Sequence, residues 1–166
     1  QELLTLASVE DSESEEKLEI FDLSENIEGV ILPFEAAAFD KGVTIEQDIT
    51  PDISFTGNPI DISRMAETLI ENAIGHAPSG TAVDVKLHRS PKHIYFTVGN
   101  HGETIDPESQ KHLFERFYRV DKARNRKEGH FGLGLAIAKA IVDRHGGNIA
   151  VRSENGYTLF TVTFHI

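Results

Sequence analysis

The sequence predicts a two-layer α/β sandwich, with about three helices covering one face of a mixed, mostly antiparallel sheet. Three observations lead there. A helix from residue 59 repeats Ile62, Met65, Ala66, Leu69, Ile70, Ala73 and Ala77 at helical spacing. Two strand pairs are joined by short polar turns, Arg89-Ser90-Pro91-Lys92 and Asn155-Gly156. A second apolar helical run covers 136–144 and is stopped by Gly146-Gly147. Helices with one apolar stripe and strands with one apolar face bury those surfaces against each other.

Residues 1–10, with Leu3, Leu4 and Leu6, read as the tail of a helix, and the acidic stretch 11–18 as a linker to a domain over 19–166. A short strand at 19–23 precedes a helix capped by Asp22 or Ser24 and running to about residue 40. Ile27, Val30, Ile31, Phe34 and Ala38 form its buried stripe, and Pro33 kinks or restarts it. Gly42 ends it. Strands follow at 43–49 and 53–55, and Asn58-Pro59 then supplies a cap and a first-turn proline for the long helix. Pro78 and Gly80 end that helix. Val83, Val85 and Leu87 alternate in one strand, and Ile94, Phe96 and Val98 in the next. A polar loop over 99–104 leads to a short helix that starts at Asp106-Pro107 and ends near Phe114. The last strands are 148–152 and 158–166.

The bulk composition excludes several classes. Cysteine is absent, which removes disulfides, thiol catalysis and thiolate metal sites. The eight histidines show no zinc spacing. No apolar run reaches the roughly 20 residues of a membrane span. A net charge of -11 argues against nucleic acid as a partner and against direct contact with anionic membranes. Six of the 16 basic residues nevertheless crowd into 116–127. They sit just before Gly129-His130-Phe131-Gly132-Leu133-Gly134-Leu135. Glycines before a helix start form either a phosphate cradle or a loop that caps a buried helix. The basic cluster beside them favours a polyanion.

Three polar positions are candidates for chemistry. Asn72 sits inside a helix, where asparagine is a mediocre former, and its amide oxygen suits Mg²⁺ as well as plain solvent. His76, one turn on, suits a base or ribose contact, or an ordinary surface. Asn100 and Gly102 end a strand. There a side-chain amide and a bare backbone can read an adenine, or simply build a turn.

The order and spacing of these signals resemble the ATP-binding catalytic domain of sensor histidine kinases, within the Bergerat-fold ATPases. Leu69-Ile70-Glu71-Asn72-Ala73-Ile74-Gly75-His76-Ala77-Pro78 resembles the N box, and Val98-Gly99-Asn100-His101-Gly102-Glu103-Thr104-Ile105 the first glycine box. Leu113-Phe114-Glu115-Arg116-Phe117-Tyr118-Arg119-Val120-Asp121 resembles the F box, notably that of metal-responsive sensor kinases. Gly132-Leu133-Gly134-Leu135-Ala136-Ile137-Ala138-Lys139 resembles the second glycine box, and Gly156-Tyr157-Thr158-Leu159-Phe160 the closing strand. The likeness runs from about residue 21 to the end, and residues 1–10 are similar to the end of the second dimerisation helix.

The resemblance implies ATP and Mg²⁺ as cofactors. Asn72 would hold Mg²⁺. Asn100, with Gly102, Ile105 and Thr158, would serve the adenine, and His76 the base or ribose. Gly132, Leu133, Gly134 and Leu135 would meet the phosphates. A lid over 117–131 would close over ATP, with Arg119 and Lys122 near the triphosphate and Tyr118 among the ATP-binding residues. The implied partners are a dimerisation domain of the same protein, which carries the phosphoacceptor histidine, and a response regulator. The chain, opening on Gln1, is expected to be a monomeric fragment from the cytoplasmic side of a membrane-anchored homodimer. Three positions depart from the family's pattern. Asn100 replaces the usual aspartate. Thr68 and Gly75 replace the first asparagine and the basic residue of the N box. Thr104 replaces the second glycine of the first glycine box. Asn100, Gly75 and Thr104 motivate one rival, a regulatory pseudokinase; a second rival, a stand-alone Bergerat-fold ATPase, would want a glutamate where Thr68 stands.

Overall fold

The computed structural model describes residues 17–118 and 134–166. The expected helix tail at 1–10, most of the linker and most of the expected lid lie outside the described residues. The elements in order are β1 (Glu19–Asp22), α1 (Leu23–Ile31), α2 (Phe34–Lys41), β2 (Thr44–Ile49), β3 (Ser54–Gly57) and α3 (Pro59–His76). They continue with β4 (Ala82–Arg89), β5 (His93–His101), α4 (Pro107–His112), α5 (Gly134–Arg144), β6 (Asn148–Glu154) and β7 (Tyr157–His165).

The main sheet runs β2-β4-β5-β7-β6. Only β2–β4 is parallel, so the expected mixed, mostly antiparallel sheet is present. β1 and β3 form a separate antiparallel pair, held at the core edge by Phe21 packed edge-on against Phe55 at 5.9 Å. Val83, Val85, Leu87, Phe96, Val98, Phe160, Val162 and Phe164 face the helices and are buried. They meet Leu69, Ile70 and Ala73 of α3 and Ile137, Ala138 and Ile141 of α5 in one core. The opposite face of β2, β4 and β5 carries Glu46, Asp48, Lys86 and Tyr95, all exposed. This alternation is what a sheet covered on one face demands.

Local details depart from the predicted boundaries for identifiable reasons. Of the two outcomes expected at Pro33, a kink or a restart, the structure has the restart: Leu32 ends α1 and Pro33 caps α2. Asp22 is the cap of α1, accepting from Glu25 N at 3.0 Å. Ser24 is instead buried, donating to Thr50 O at 2.6 Å and accepting from Ile53 N at 3.1 Å. β5 continues through Asn100 to His101 where a polar loop was expected, because its pairing with β7 persists to His101–Tyr157. Gly99 suits this strand because a Cβ there would run into the Tyr157 hydroxyl.

The start of α3 and the end of α5 are fastened together. Asn58 caps α3, accepting from Ile60 N at 3.0 Å and Asp61 N at 3.2 Å. Its own N–H donates to His145 Nε2 at 3.1 Å, while His145 Nδ1 donates to Ile141 O at 2.7 Å. One neutral tautomer satisfies both bonds. The buried Asp61 carboxylate faces Arg144 at 3.5 Å and Arg64 at 3.4 Å. Replacing His145 with Ala strands the Asn58 donor and removes a ring packed on Phe55 and Phe164. Urea unfolding of His145→Ala is expected to show a loss of about 2–4 kcal/mol. A loss within about 0.5 kcal/mol, ordinary for surface substitutions, would contradict this account of the α3–α5 junction.

Candidate functional site

One stripe of α3 faces away from the sheet core and carries Arg64, Thr68, Asn72 and Gly75, each half-buried, before the helix ends at the exposed His76. Two close approaches bound this stripe. At its N-terminal end, a Cβ added to Gly134, the first residue of α5, would lie 3.4 Å from Thr68 Cγ2. At its C-terminal end, a Cβ added to Gly102 would lie 3.0 Å from His76 O. Gly102 also has φ 150°, a conformation open to glycine and strained for other residues. Thr68 and His76 stand roughly 12 Å apart along the helix axis. Asn72 lies midway. Its side chain makes no hydrogen bond to the described residues, so a hard oxygen donor stands ready on this face.

The sheet supplies the wall beyond Gly102. Asn100 is paired with Val83 on one side and Thr158 on the other, and Thr158 pairs in turn with Ser153. With Ile45 of β2, which pairs with Val83, these four make the last inward-facing row of the sheet. Asn100 is only 3% exposed, and its Nδ2 donates to His101 O at 2.9 Å. That bond leaves the amide oxygen as the acceptor not used within the described residues. The Ser153 and Thr158 hydroxyls are 2.7 Å apart, and Ser153 Oγ accepts from Ile105 N at 2.9 Å. Gln110 completes the row's support. Its Nε2 donates to Ile105 O at 2.7 Å and Ser153 O at 3.0 Å.

α4 carries the approach to the F box. Asp106 caps it, with the Ser109 hydroxyl donating at 2.7 Å and the Ser109 N–H at 2.8 Å. These bonds hold the Asp106 carboxyl below its ordinary pKa. Tyr118 donates to Ser109 Oγ at 3.1 Å, and its ring lies 5.5 Å from that of His112. Phe117 has φ 64°, strained for a bulky side chain.

Residues expected in the site divide plainly. Asn72, His76 and Gly102 come together along α3, with Asn100, Ile105 and Thr158 joining them through the sheet. Gly134 and the half-buried Leu135 begin α5 against Thr68. Tyr118 is tied to α4 through Ser109. Arg119, Lys122, Gly132 and Leu133 lie outside the described residues. Sequence reasoning missed Ser153, although a two-residue Asn155-Gly156 turn sets it opposite Thr158. It also missed Lys41, whose Nζ donates to Ile74 O and Gly75 O at 2.6 Å and caps α3 beside His76. No local signal in the sequence marks Lys41 or Gln110.

A helix start, an amide with no partner among the described residues and a bare-backbone turn meet on one side of a half-covered sheet, an arrangement of the kind that suits an anionic ligand. Full-length ShkA, solved in complex with AMPPNP, has this fold, with a TM-score of 0.84 at 21% identity over 98% of this chain and 34% of that one. The pattern of the histidine kinase-, DNA gyrase B-, and HSP90-like ATPases matches residues 57–166. The heme sensor protein HssS of Staphylococcus aureus (strain Newman) is 36% identical over 98% of this chain and 35% of its own length. The sensor histidine kinase CusS of Escherichia coli (strain K12) is 33% identical over 98% of this chain and 34% of its own length. The chain belongs to this ATPase family, in its sensor histidine kinase branch. It spans about a third of the length of those curated relatives.

His112 offers a direct check on the α4 geometry. Its Nδ1 lies 2.6 Å from Glu115 Oε1 and its Nε2 3.3 Å from Glu108 Oε1. The Glu115 bond first, then the Glu108 bond, raise its pKa above the ordinary 6.5. The protonated form is therefore favoured on folding, and that contribution is present below the ordinary pKa and lost as pH rises through the raised one. An NMR titration is expected to place the His112 midpoint above 6.5, with Glu115→Gln moving it down. A midpoint indifferent to Glu115→Gln would contradict the arrangement.

Proposed function

We propose that this chain binds ATP with Mg²⁺ along α3 and presents the γ-phosphate to a histidine on a dimerisation domain of the same protein, from which a response-regulator aspartate takes it. The observation that carries the reading is the α3 stripe itself. One helix face joins the start of α5, at Thr68–Gly134, to the Asn100–Gly102 turn, at His76. A nucleotide laid along it meets a helix N-terminus at one end and a buried acceptor at the other.

In this reading the phosphates lie toward Gly134 and Leu135, where unpaired N–H groups and the helix dipole favour negative charge. Asn72 holds Mg²⁺ through its amide oxygen, and the ion supplies charge neutralisation to the transferring phosphoryl group. The Asn100 oxygen accepts from the adenine amine, Gly102 and Ile105 border the base, Thr158 backs it, and His76 lies beside the sugar. Tyr118, Arg119, Lys122, Gly132 and Leu133 enter this reading on sequence grounds alone. The protein's share of the chemistry is positioning and charge stabilisation, so no general base is assigned. The intact protein is read as a membrane-anchored homodimer with this domain on the cytoplasmic side. Among the described residues no helix is long and apolar enough to cross a membrane.

Thr68 speaks against a stand-alone hydrolase. Its hydroxyl donates to Arg64 O at 2.9 Å and it carries no carboxylate to activate water. Calorimetry with AMPPNP tests the proposal. Binding is expected with Mg²⁺ and is expected to weaken at least about tenfold without the ion or in Asn72→Ala, the cost of one charge-assisted contact. No binding at millimolar nucleotide, or an affinity indifferent to both Mg²⁺ and Asn72, would contradict it.

A further inference from the structure

The turn that carries Gly102 is held by the Thr104 side chain. Gly102 N donates to Gly156 O at 3.0 Å, and Gly156 N donates back to Thr104 Oγ1 at 2.7 Å. Gly156 is the tip of the β6–β7 hairpin, where Asn155 has φ 52° and Gly156 φ 75°, the left-handed pair that a tight two-residue hairpin turn requires. The two bonds form a reciprocal clasp across residues 102–104. On its other side the same turn is pressed against the end of α3, with His76 O 3.0 Å from where a Gly102 Cβ would stand.

The clasp has a continuation. The next residue, Ile105, donates from its N–H to Ser153 Oγ, and Gln110 ties Ile105 O to Ser153 O. Ser153 N donates to Gln110 Oε1 at 3.3 Å. Residues 102–110 are therefore fastened at successive points to a rigid hairpin that is itself part of the main sheet. A glycine at 104 would keep the Gly102–Gly156 bond and lose the return bond. It would also restore backbone freedom that threonine removes.

We propose that Thr104 is a positioning residue for the nucleotide site: its hydroxyl locks the Gly102 turn to the β6–β7 hairpin and so holds that turn in its binding geometry before ligand arrives. The proposal takes the nucleotide reading above as given. Pre-ordering a turn removes an entropy cost that binding otherwise meets, so its effect falls on affinity. Thr104 touches no ligand in this scheme and acts through Gly156 and Gly102.

The test compares wild type with Thr104→Ser, Thr104→Val and Thr104→Gly by two readouts. One is amide hydrogen exchange at Gly156 in the ligand-free chain, by NMR. The other is the affinity for AMPPNP with Mg²⁺, by calorimetry. Val keeps the shape and removes the hydroxyl, and at this exposed position it does not threaten folding. Val and Gly are expected to speed Gly156 exchange and weaken binding by roughly three- to tenfold, the range of one hydrogen bond. Ser is expected to restore both. Unchanged Gly156 exchange in Thr104→Val overturns the clasp, and so does Ser behaving like Val. Faster exchange with unaltered affinity overturns the positioning role. If wild type fails to bind the nucleotide, the functional reading falls, and Gly156 exchange still decides the clasp.

Discussion

Helix α3 has to satisfy two surfaces at once, and the rest of the domain follows from how it does so. Its apolar stripe is buried against the sheet with Leu69, Ile70 and Ala73 fully covered. Its other stripe must stay close to α5 and to the β5 turn without being sealed by them. Glycine solves that problem at the β5 turn, where a Cβ on Gly102 would crowd His76 O. At the other contact α5 begins beside Thr68, and a Cβ on Gly134 would make an ordinary van der Waals contact there. A larger side chain at 102 would push the turn away from the end of α3. The junction at the far end of the helix pair, built from Asn58, His145, Asp61 and Arg144, fixes the angle between α3 and α5. A buried ion pair is costly to desolvate, so its value lies in geometry more than in stability.

The sheet makes a complementary contribution. Its last inward row changes from apolar to polar in passing from Val98 to Asn100 and from Phe160 to Thr158. Polar groups at that depth need partners. Ser153 provides one for Thr158, Ile105 and Gln110 provide them in turn for Ser153, and the His101 carbonyl provides one for Asn100. Among the described residues the Asn100 amide oxygen is the acceptor of this row left without a partner. On the outer face, Tyr157 reaches across Gly99 to donate to Asp84 at 2.7 Å, and partial burial followed by that bond raises the pKa of the phenol. Replacing aspartate by asparagine at position 100 leaves a neutral acceptor, weaker than a carboxylate yet with its orientation set by the backbone.

Most of the fold was legible because periodicity reports burial directly. The stripes named for α1, α2 and α3 are the ones that face the core. The hairpins at 89–92 and 155–156 were legible from turn chemistry, and the latter also implies that Ser153 faces Thr158. Less was legible where tertiary context chose between equal local options. Asp22 and Ser24 are equivalent caps on paper, and only the packing of residues 50–53 commits Ser24 elsewhere. Polar Asn100 and His101 read as loop because nothing local announces that β7 pairs with them. The site residues were candidates by type alone. Their grouping came from resemblance, and the α3 stripe now supplies a geometric reason for Asn72, His76 and Gly102 to act together. Lys41 and Gln110 act over separations of 33 and 43 residues, beyond any pattern in the chain.

The account therefore turns on one claim, that the α3 stripe between Gly134 and Gly102 is a single nucleotide site. Amide chemical-shift mapping with AMPPNP and Mg²⁺ tests it most directly. The account predicts that the largest shifts fall together on Asn72, Asn100, Gly102 and Gly134, at both ends of the stripe and at its middle. Shifts confined to one end, or centred on the outer face of the sheet around Tyr95 and Tyr157, would contradict it.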